Sequence, residues 1–148
     1  GVHPKVVEGS TAVYGDSGEV FIIYSGSGYW TKYYQLGQLK YKGGNPLEKI
    51  HWDKKSTSIF SLSETVNGCG HASYVTDTAG KRWVCYHAYI GPDTSSGRYV
   101  FLEPYEVNSS GVTIGNGSGH PAGLDVEQQA ALNPIPVRQK IAGFHTVE

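Results

Sequence analysis

The chain has 148 residues and a nearly balanced charge, with 12 basic and 13 acidic side chains. Its length predicts one domain, and the charge balance argues against a cationic surface for nucleic acid or an anionic membrane. No apolar run reaches the roughly 18 residues of a transmembrane helix, so no membrane-spanning segment is expected. Methionine is absent even at position 1, which predicts that an upstream part was removed, whether a signal peptide, a tag or an N-terminal region.

Glycine and aromatic residues are over-represented. The 20 glycines are typical of a chain with many tight turns. The 11 tyrosines and 3 tryptophans favour a sugar-binding cleft, because a ring face can stack on the C–H face of a sugar while its polar edge hydrogen-bonds hydroxyl groups.

Strand patterns occupy most of the chain. Short apolar runs and loosely alternating segments follow glycine-containing turns, as in antiparallel strands joined by tight turns. The predicted strands cover residues 20–24, 33–41, 49–60, 83–87, 98–107 and 111–115. Cys69 and Cys85 fall on neighbouring strands, so a disulfide between them and two free thiols both remain open.

The pattern changes near the C-terminal end. Residues 126–132 favour one or two helical turns, and Pro134 and Pro136 prevent their continuation. Residues 124–148 are therefore predicted to form an extension, either a short helix or an extended tail, after a domain at residues 1–123.

The chain contains an internal repeat. When it is shifted by 62 residues, the segment 8–13 lies over 70–75, and Tyr24 lies over Tyr86. Each unit reads as a strand, a glycine turn, an aromatic and apolar strand, and two weaker strands. The two units cover about residues 6–62 and 68–120. Such a repeat predicts an all-β fold of two four-stranded antiparallel propeller blades.

Two blades cannot close a propeller, which needs about four to eight. The remaining blades are expected on another chain, or the chain is expected to associate with copies of itself to cover its open faces. The alternative fold is a small β-sandwich in which the repeat arises by chance.

One residue in the corresponding motif of each repeat is a candidate for chemistry. The first strand of a blade lies nearest the propeller axis, where a partly desolvated Glu8 would suit a general acid. The plainer interpretation of Glu8 is a surface residue near a chain end. His71 lies at the matching place of the second unit, where an imidazole can hold a water, orient a carboxylate or bind a metal. It can equally be a hydrogen-bonded core histidine.

Loop residues supply candidates for substrate binding. Arg98 follows the loop at 94–97 and can direct two hydrogen bonds to a pair of sugar hydroxyls, although most arginines at such places are solvated. Tyr29 and Trp30 belong to an aromatic loop that can line a cleft, and core packing is the alternative for about half of the loop's rings. His87, at the end of a strand, is interpreted as a packed residue.

Taken in order, these motifs resemble glycoside hydrolase family 43, the five-bladed propeller enzymes that act on arabinan, arabinoxylan and xylan. The segments that carry the resemblance are Glu8-Gly9-Ser10, Phe21-Ile22-Ile23-Tyr24-Ser25, Gly68-Cys69-Gly70-His71-Ala72-Ser73, Trp83-Val84-Cys85-Tyr86-His87 and Gly97-Arg98. They cover roughly residues 6 to 120, and their order and spacing are more specific than any single motif.

The resemblance implies roles for individual residues. Glu8 matches the family's general acid, and Arg98 resembles an arginine that contacts the sugar at the cleavage point. His71 matches a histidine near the axis that in some members helps to hold an ion such as calcium through water, and no cofactor is expected to be required. The family inverts the anomeric centre with an acid and a base carboxylate about 6.5–9.5 Å apart.

The chain also departs from the family pattern. Ser10 and Cys69 stand where proline is usual, and no residue matches the base or the aspartate that tunes the acid, both of which lie in the family's first half. We therefore expect the C-terminal half of an inverting glycosidase for arabinofuranosyl or xylosyl linkages, inactive alone. The alternative is a non-catalytic carbohydrate-binding or self-assembling module. An oligo- or polysaccharide ligand, in turn, implies an extracellular or periplasmic location.

Overall fold

The computed structural model describes residues 4–122, which form two sheets and contain no α-helix. The eight strands are β1 (Val7–Tyr14), β2 (Val20–Gly26), β3 (Gln35–Tyr41), β4 (Trp52–Lys54), β5 (Val66–Thr76), β6 (Arg82–Ile90), β7 (Arg98–Asn108) and β8 (Gly111–Ile114). Each sheet is a four-stranded antiparallel meander, β1-β2-β3-β4 and β5-β6-β7-β8. The predicted all-β fold is confirmed, and the extension predicted at 124–148 lies outside the described residues.

Within residues 4–122, no helix has the length and apolar character needed to cross a membrane. The one helical element that the structure assigns there is a short 3-10 turn at Lys49–His51, between β3 and β4.

Local turn chemistry explains why the strands fold back where they do. Between β5 and β6, the Asp77 carboxylate accepts hydrogen bonds from the backbone N–H groups of Ala79 and Lys81, each at 2.9 Å. Its other oxygen accepts the indole N–H of Trp83 at 2.9 Å. An aspartate that bonds its own backbone in this way stabilises a tight turn. Asp77 is therefore a turn residue.

The core lies between the two sheets. It is built from apolar side chains that alternate along the strands, including Phe21 and Ile23 of β2 and Val84 and Tyr86 of β6. The ring of Phe60, from the segment before β5, packs edge-on against Tyr86 with centroids 5.1 Å apart. Burying an apolar side chain of this size stabilises the fold by about 1.5–3 kcal/mol.

Equivalent positions of the repeat face opposite ways. Val13 is 3% exposed, whereas Val75, 62 residues later, is 50% exposed. Phe21 is buried and its equivalent Trp83 is not, while Val84 is buried and its equivalent Ile22 is not. If the sheets were related by a two-fold axis, equivalent residues would face each other. Here one face of the first repeat packs on the other face of the second, as in stacked propeller blades.

Each sheet therefore keeps one outward face. Exposed apolar side chains on these faces are Tyr14 on the first sheet and Val75, Val100 and Leu102 on the second. The outward face of the second sheet corresponds, through the repeat, to the face of the first sheet that strands β5–β8 cover. Within residues 4–122, the stack is open at both ends.

Both cysteines are free thiols. The register of β5 and β6 places Ser73 opposite Cys85, so Cys69 lies four residues too early on its strand to meet it. Cys69 is fully buried, and burial raises the pKa of its thiol. The sequence left a disulfide and two free thiols as alternatives, and the structure has two free thiols.

The stacking of the repeats predicts different costs for the same substitution at equivalent positions. Val13→Ala removes buried methyl groups and should lower the free energy of unfolding by about 1–2 kcal/mol. Val75→Ala, on the outward face, should cost less than about 0.5 kcal/mol. Urea unfolding followed by tryptophan fluorescence measures both, and equal losses would contradict the stacking.

Candidate active site

Glu8 lies near the start of β1, beside a bulge. Its backbone pairs with Ser25 on β2, and the register shifts between Glu8 and Thr11. A bulge re-aims the side chains around it, which is why bulges are common next to active sites. The half-buried Glu8 carboxyl group accepts a hydrogen bond from the Tyr34 hydroxyl, with 2.7 Å between the phenol oxygen and Oε1.

Tyr34 lies in the loop before β3 of the first sheet. Its side chain packs over β5 of the second sheet and reaches Glu8 on β1. Its side chain is fully buried, and its ring lies over Gly70 of β5, where an added Cβ would be 2.2 Å from the ring. The ring stacks on the imidazole of His87, with centroids 5.5 Å apart and planes 10° from parallel. Burial raises the pKa of Tyr34 to about 12, a hydrogen bond with Ser25 opposes this rise, and Glu8 adds to it.

His71 lies on β5 between two register shifts. Its backbone has a φ of 52°, and its N–H donates to Ser25 Oγ at 2.7 Å. The exposed imidazole packs against Gly9, the residue after Glu8, where an added Cβ would be 3.2 Å from the ring. The glycines of the Glu-Gly and Gly-His motifs thus make room for an aromatic ring from another strand.

His87 is a neutral neighbour of the acid. Its pKa is lowered to about 4, chiefly by burial and then by the charges of Arg98 and His71, while Glu8 acts in the opposite direction. Its Nδ1 is buried and has no hydrogen-bond partner in the described part of the chain. At neutral pH, His87 therefore brings a flat uncharged ring to the site.

The loop residues form a cationic and aromatic wall. The Arg98 guanidinium lies 4.8 Å above the centre of the Tyr29 ring, and the Trp30 indole packs edge-on against Tyr29 at 5.2 Å. The Tyr89 hydroxyl donates to the Tyr29 carbonyl oxygen at 3.1 Å. Because Tyr29 and Trp30 remain about half exposed, their rings are available to a ligand.

The five residues named from sequence lie in one continuous region. His71 joins Glu8 through Gly9, and Arg98 is close enough to lower the pKa of both Tyr34 and His87. Trp30 continues the wall beyond Tyr29. Neither Tyr34 nor Ser25 was among the candidate site residues that the sequence indicated, so the contact of Tyr34 with Glu8 and that of Ser25 with His71 were missed.

A metal site does not form from the described residues alone. Among residues 4–122, no group of three or more His, Cys, Asp or Glu side chains is arranged to hold an ion. Calcium prefers oxygen ligands, so the imidazole of His71 suits it only through water, with ligands from elsewhere. The role of His71 toward calcium stays a prediction, and no chemical step below depends on it.

With this geometry established, comparison with known proteins decides the family. The model of the family "Glycosyl hydrolases family 43" matches residues 1–113. The chain belongs to glycosyl hydrolase family 43. The family predicted from the motifs is thereby confirmed. No curated protein matches the chain.

Solved structures of family 43 proteins share the fold. BlXynB of Bacillus licheniformis aligns with a TM-score of 0.62 and 20% identity, over 80% of this chain and 24% of that one. An endo-1,4-beta-xylanase of Bacteroides thetaiotaomicron gives 0.62 and 22%, over 75% and 38%. A xylan beta-1,4-xylosidase of Bacillus halodurans gives 0.62 and 14%, over 82% and 24%.

This likeness confirms the predicted propeller fold. The chain spans about a quarter to two-fifths of the length of these structures. The pair of blades is therefore equivalent to part of each of them.

The neutral state of His87 predicts a pH-dependent stability. Its pKa of about 4 lies below the unfolded value of about 6.5, so the unfolded chain binds a proton first as the pH falls. The contribution of neutral His87 to the free energy of unfolding is complete above about pH 6.5 and is lost as the pH falls through about 4. His87→Phe should therefore flatten the decline of unfolding free energy between those values. Urea unfolding at several pH values tests this, with His51→Phe, in the β3–β4 loop, as control. Parallel curves for wild type and His87→Phe would contradict it.

Proposed function

We propose that this chain supplies the general acid of an inverting glycoside hydrolase acting on arabinofuranosyl or xylosyl linkages of plant polysaccharide. The observation that carries the proposal is the state of Glu8. One carboxyl oxygen, Oε1, is engaged by the buried Tyr34 phenol. The other, Oε2, has no hydrogen-bond partner within residues 4–122 and is free to meet a substrate.

The chemistry follows from that arrangement. A protonated Glu8 donates its proton to the glycosidic oxygen while the bond from that oxygen to the anomeric carbon breaks. A base carboxylate removes a proton from a water molecule that attacks the opposite face of the sugar, which requires about 6.5–9.5 Å between the two carboxyl groups. We propose that the base comes from outside the described residues, since no residue of the chain matches the family's base motif.

The wall beside Glu8 supports binding of a neutral sugar. Arg98 can direct two hydrogen bonds at adjacent hydroxyl groups, and the exposed rings of Tyr29 and Trp30 can stack on the C–H faces of further units. His71 offers an exposed imidazole that packs against Gly9, next to Glu8. The xylan-acting enzymes among the structural neighbours support xylosyl linkages as the first substrates to test.

The open ends of the stack support the proposal that further blades complete the site. The outward face of each sheet carries exposed apolar side chains, including Tyr14 and Leu102, and each matches a face that is covered on the other repeat. Blades from another chain, or a second copy of this one, would cover these faces and bring the base to Glu8.

A second function is a non-catalytic carbohydrate-binding or self-assembling half-propeller. The observation that favours it is the wall itself, because Arg98 and the exposed rings of Tyr29 and Trp30 need no base to bind a sugar. The two functions differ in whether Glu8 matters for turnover.

Replacement of the acid separates the two functions. In the longest natural polypeptide that contains the chain, Glu8→Gln should lower kcat on xylo- and arabino-oligosaccharides by about 10²–10⁴-fold, as expected for loss of a general acid. Glu103→Gln is the matched control, because Glu103 also accepts a hydrogen bond from a buried phenol, that of Tyr86 at 2.7 Å. The mass of the active species, from light scattering, shows whether other blades are present. Equal activity of the two variants would leave only the binding function.

The wall predicts the residues on which sugar affinity depends. Trp30→Ala should raise the Kd for xylo-oligosaccharides at least about 10-fold, as for a central aromatic anchor. Trp52→Ala is the control, because Trp52 packs on Tyr41 with centroids 5.0 Å apart, where β3 ends and β4 begins. Calorimetric titration measures both, and an unchanged Kd for Trp30→Ala would exclude this wall as the sugar site.

A further inference from the structure

A directed series of polar contacts leads from the backbone of β5 to Glu8. The His71 N–H donates to Ser25 Oγ at 2.7 Å, the Ser25 hydroxyl is close enough to the Tyr34 phenol to lower its pKa, and the phenol donates to Glu8 Oε1 at 2.7 Å. A backbone N–H can only donate. The Ser25 oxygen is thus an acceptor from His71, and its own proton remains available to the phenol oxygen.

Both side chains in this series are inaccessible to water. Ser25 and Tyr34 are each 0% exposed. A buried hydroxyl group that loses its partner cannot replace it with solvent, so its hydrogen bonds are held in place. Hydrogen bonds in series also polarise one another in such surroundings. The Tyr34 proton is consequently committed to Glu8.

The backbone of β5 has an unusual conformation at His71, where the series of contacts begins. His71 is one of two non-glycine residues with positive φ in the described chain, and strain of this kind is concentrated at functional sites. Its conformation aims the N–H at Ser25, whereas its imidazole lies against Gly9. Next to it, Gly70 has no Cβ, and this leaves the space that the Tyr34 ring fills.

We propose that Ser25 and Tyr34 are positioning residues that orient the Glu8 carboxyl group, with Oε1 as a fixed acceptor and Oε2 as the atom that delivers the proton. This rests on the proposed function of Glu8 as the general acid. In the step itself, the Oε2–H bond breaks, the leaving-group oxygen gains the proton, and the electron pair of the glycosidic bond passes to that oxygen.

The Tyr34 hydrogen bond strengthens during this step. Glu8 begins as a neutral acid and ends as a carboxylate, and hydrogen bonds to a charged acceptor are roughly twice as strong as those to a neutral one. An interaction that is stronger in the transition state than in the bound substrate raises kcat and leaves KM nearly unchanged. Tyr34 thereby acts through Glu8 without touching the sugar.

The test compares Tyr34→Phe with Tyr86→Phe in the longest natural polypeptide. Both changes remove a buried phenol that donates to a carboxylate at 2.7 Å, so their structural costs are matched. Tyr34→Phe should lower kcat on xylobiose about 10–100-fold with little change in KM. The loss should shrink on a dinitrophenyl xyloside, whose leaving group needs no proton. Tyr86→Phe should show neither effect.

A second measurement uses this chain without any activity. The 13Cζ resonance of Tyr34 reports its titration, which has a pKa of about 12 in the wild type. Glu8→Gln removes a charge that raises this pKa and should lower it, whereas Ser25→Ala removes a bond that lowers it and should raise it. Opposite shifts support the series, and shifts in the same direction, or none, overturn it.

The outcomes separate this inference from the proposed function. If Glu8→Gln is inactive while Tyr34→Phe behaves as Tyr86→Phe does, the inference is overturned and the acid remains. A kcat loss for Tyr34→Phe that is equal on both leaving groups also overturns it, because a merely structural defect would give that result. If the wild type does not hydrolyse any of the substrates, or if Glu8→Gln is as active as wild type, the proposed function of Glu8 and the positioning role of Ser25 and Tyr34 are both overturned.

Discussion

Burying a phenol costs free energy unless its hydroxyl group finds an acceptor, and Tyr34 is placed where it has one. Its ring is enclosed between the two sheets, over Gly70 and against His87. The acceptor in reach is the Glu8 carboxyl group. This contact joins β1 of the first sheet to a loop residue, Tyr34, that packs on β5 of the second sheet. Tyr34 therefore contributes both to the packing of the two repeats and to the contacts of the Glu8 carboxyl group.

The same geometry explains the glycines of the two family motifs. Gly9 and Gly70 each lie beneath an aromatic ring from another segment of the chain, Gly9 under His71 and Gly70 under Tyr34. A methyl group at Gly70 would collide with Tyr34, and one at Gly9 would press on His71. The glycines of these motifs thus provide space for the rings, just as the other residues of the motifs provide side chains. They let the Tyr34 ring reach Glu8 and the His71 ring pack against Gly9, the residue after Glu8.

The stacked arrangement of the sheets also determines what the chain lacks. One outward face remains on each described sheet because equivalent residues of the two repeats face opposite ways, as Val13 and Val75 illustrate. Under the function proposed above, the base that acts with Glu8 would come from blades that lie beyond those faces. Membership of family 43 and the partial coverage of its solved structures agree with this view.

Patterns confined to a few neighbouring residues determined most of the fold. Alternating apolar residues and turn residues such as Asp77 act locally, so most of the strands, the repeat and the family could be predicted from the chain alone. The strand predicted over 49–60 was wrong for most of its length, because residues 49–51 form a 3-10 turn and β4 covers only Trp52–Lys54. The contacts of the acid could not, because Tyr34 is 26 residues from Glu8 and meets it only after the sheets pack. The tertiary structure likewise decided that the cysteines stay free and that Arg98 stacks on Tyr29, since register and burial depend on the whole sheet.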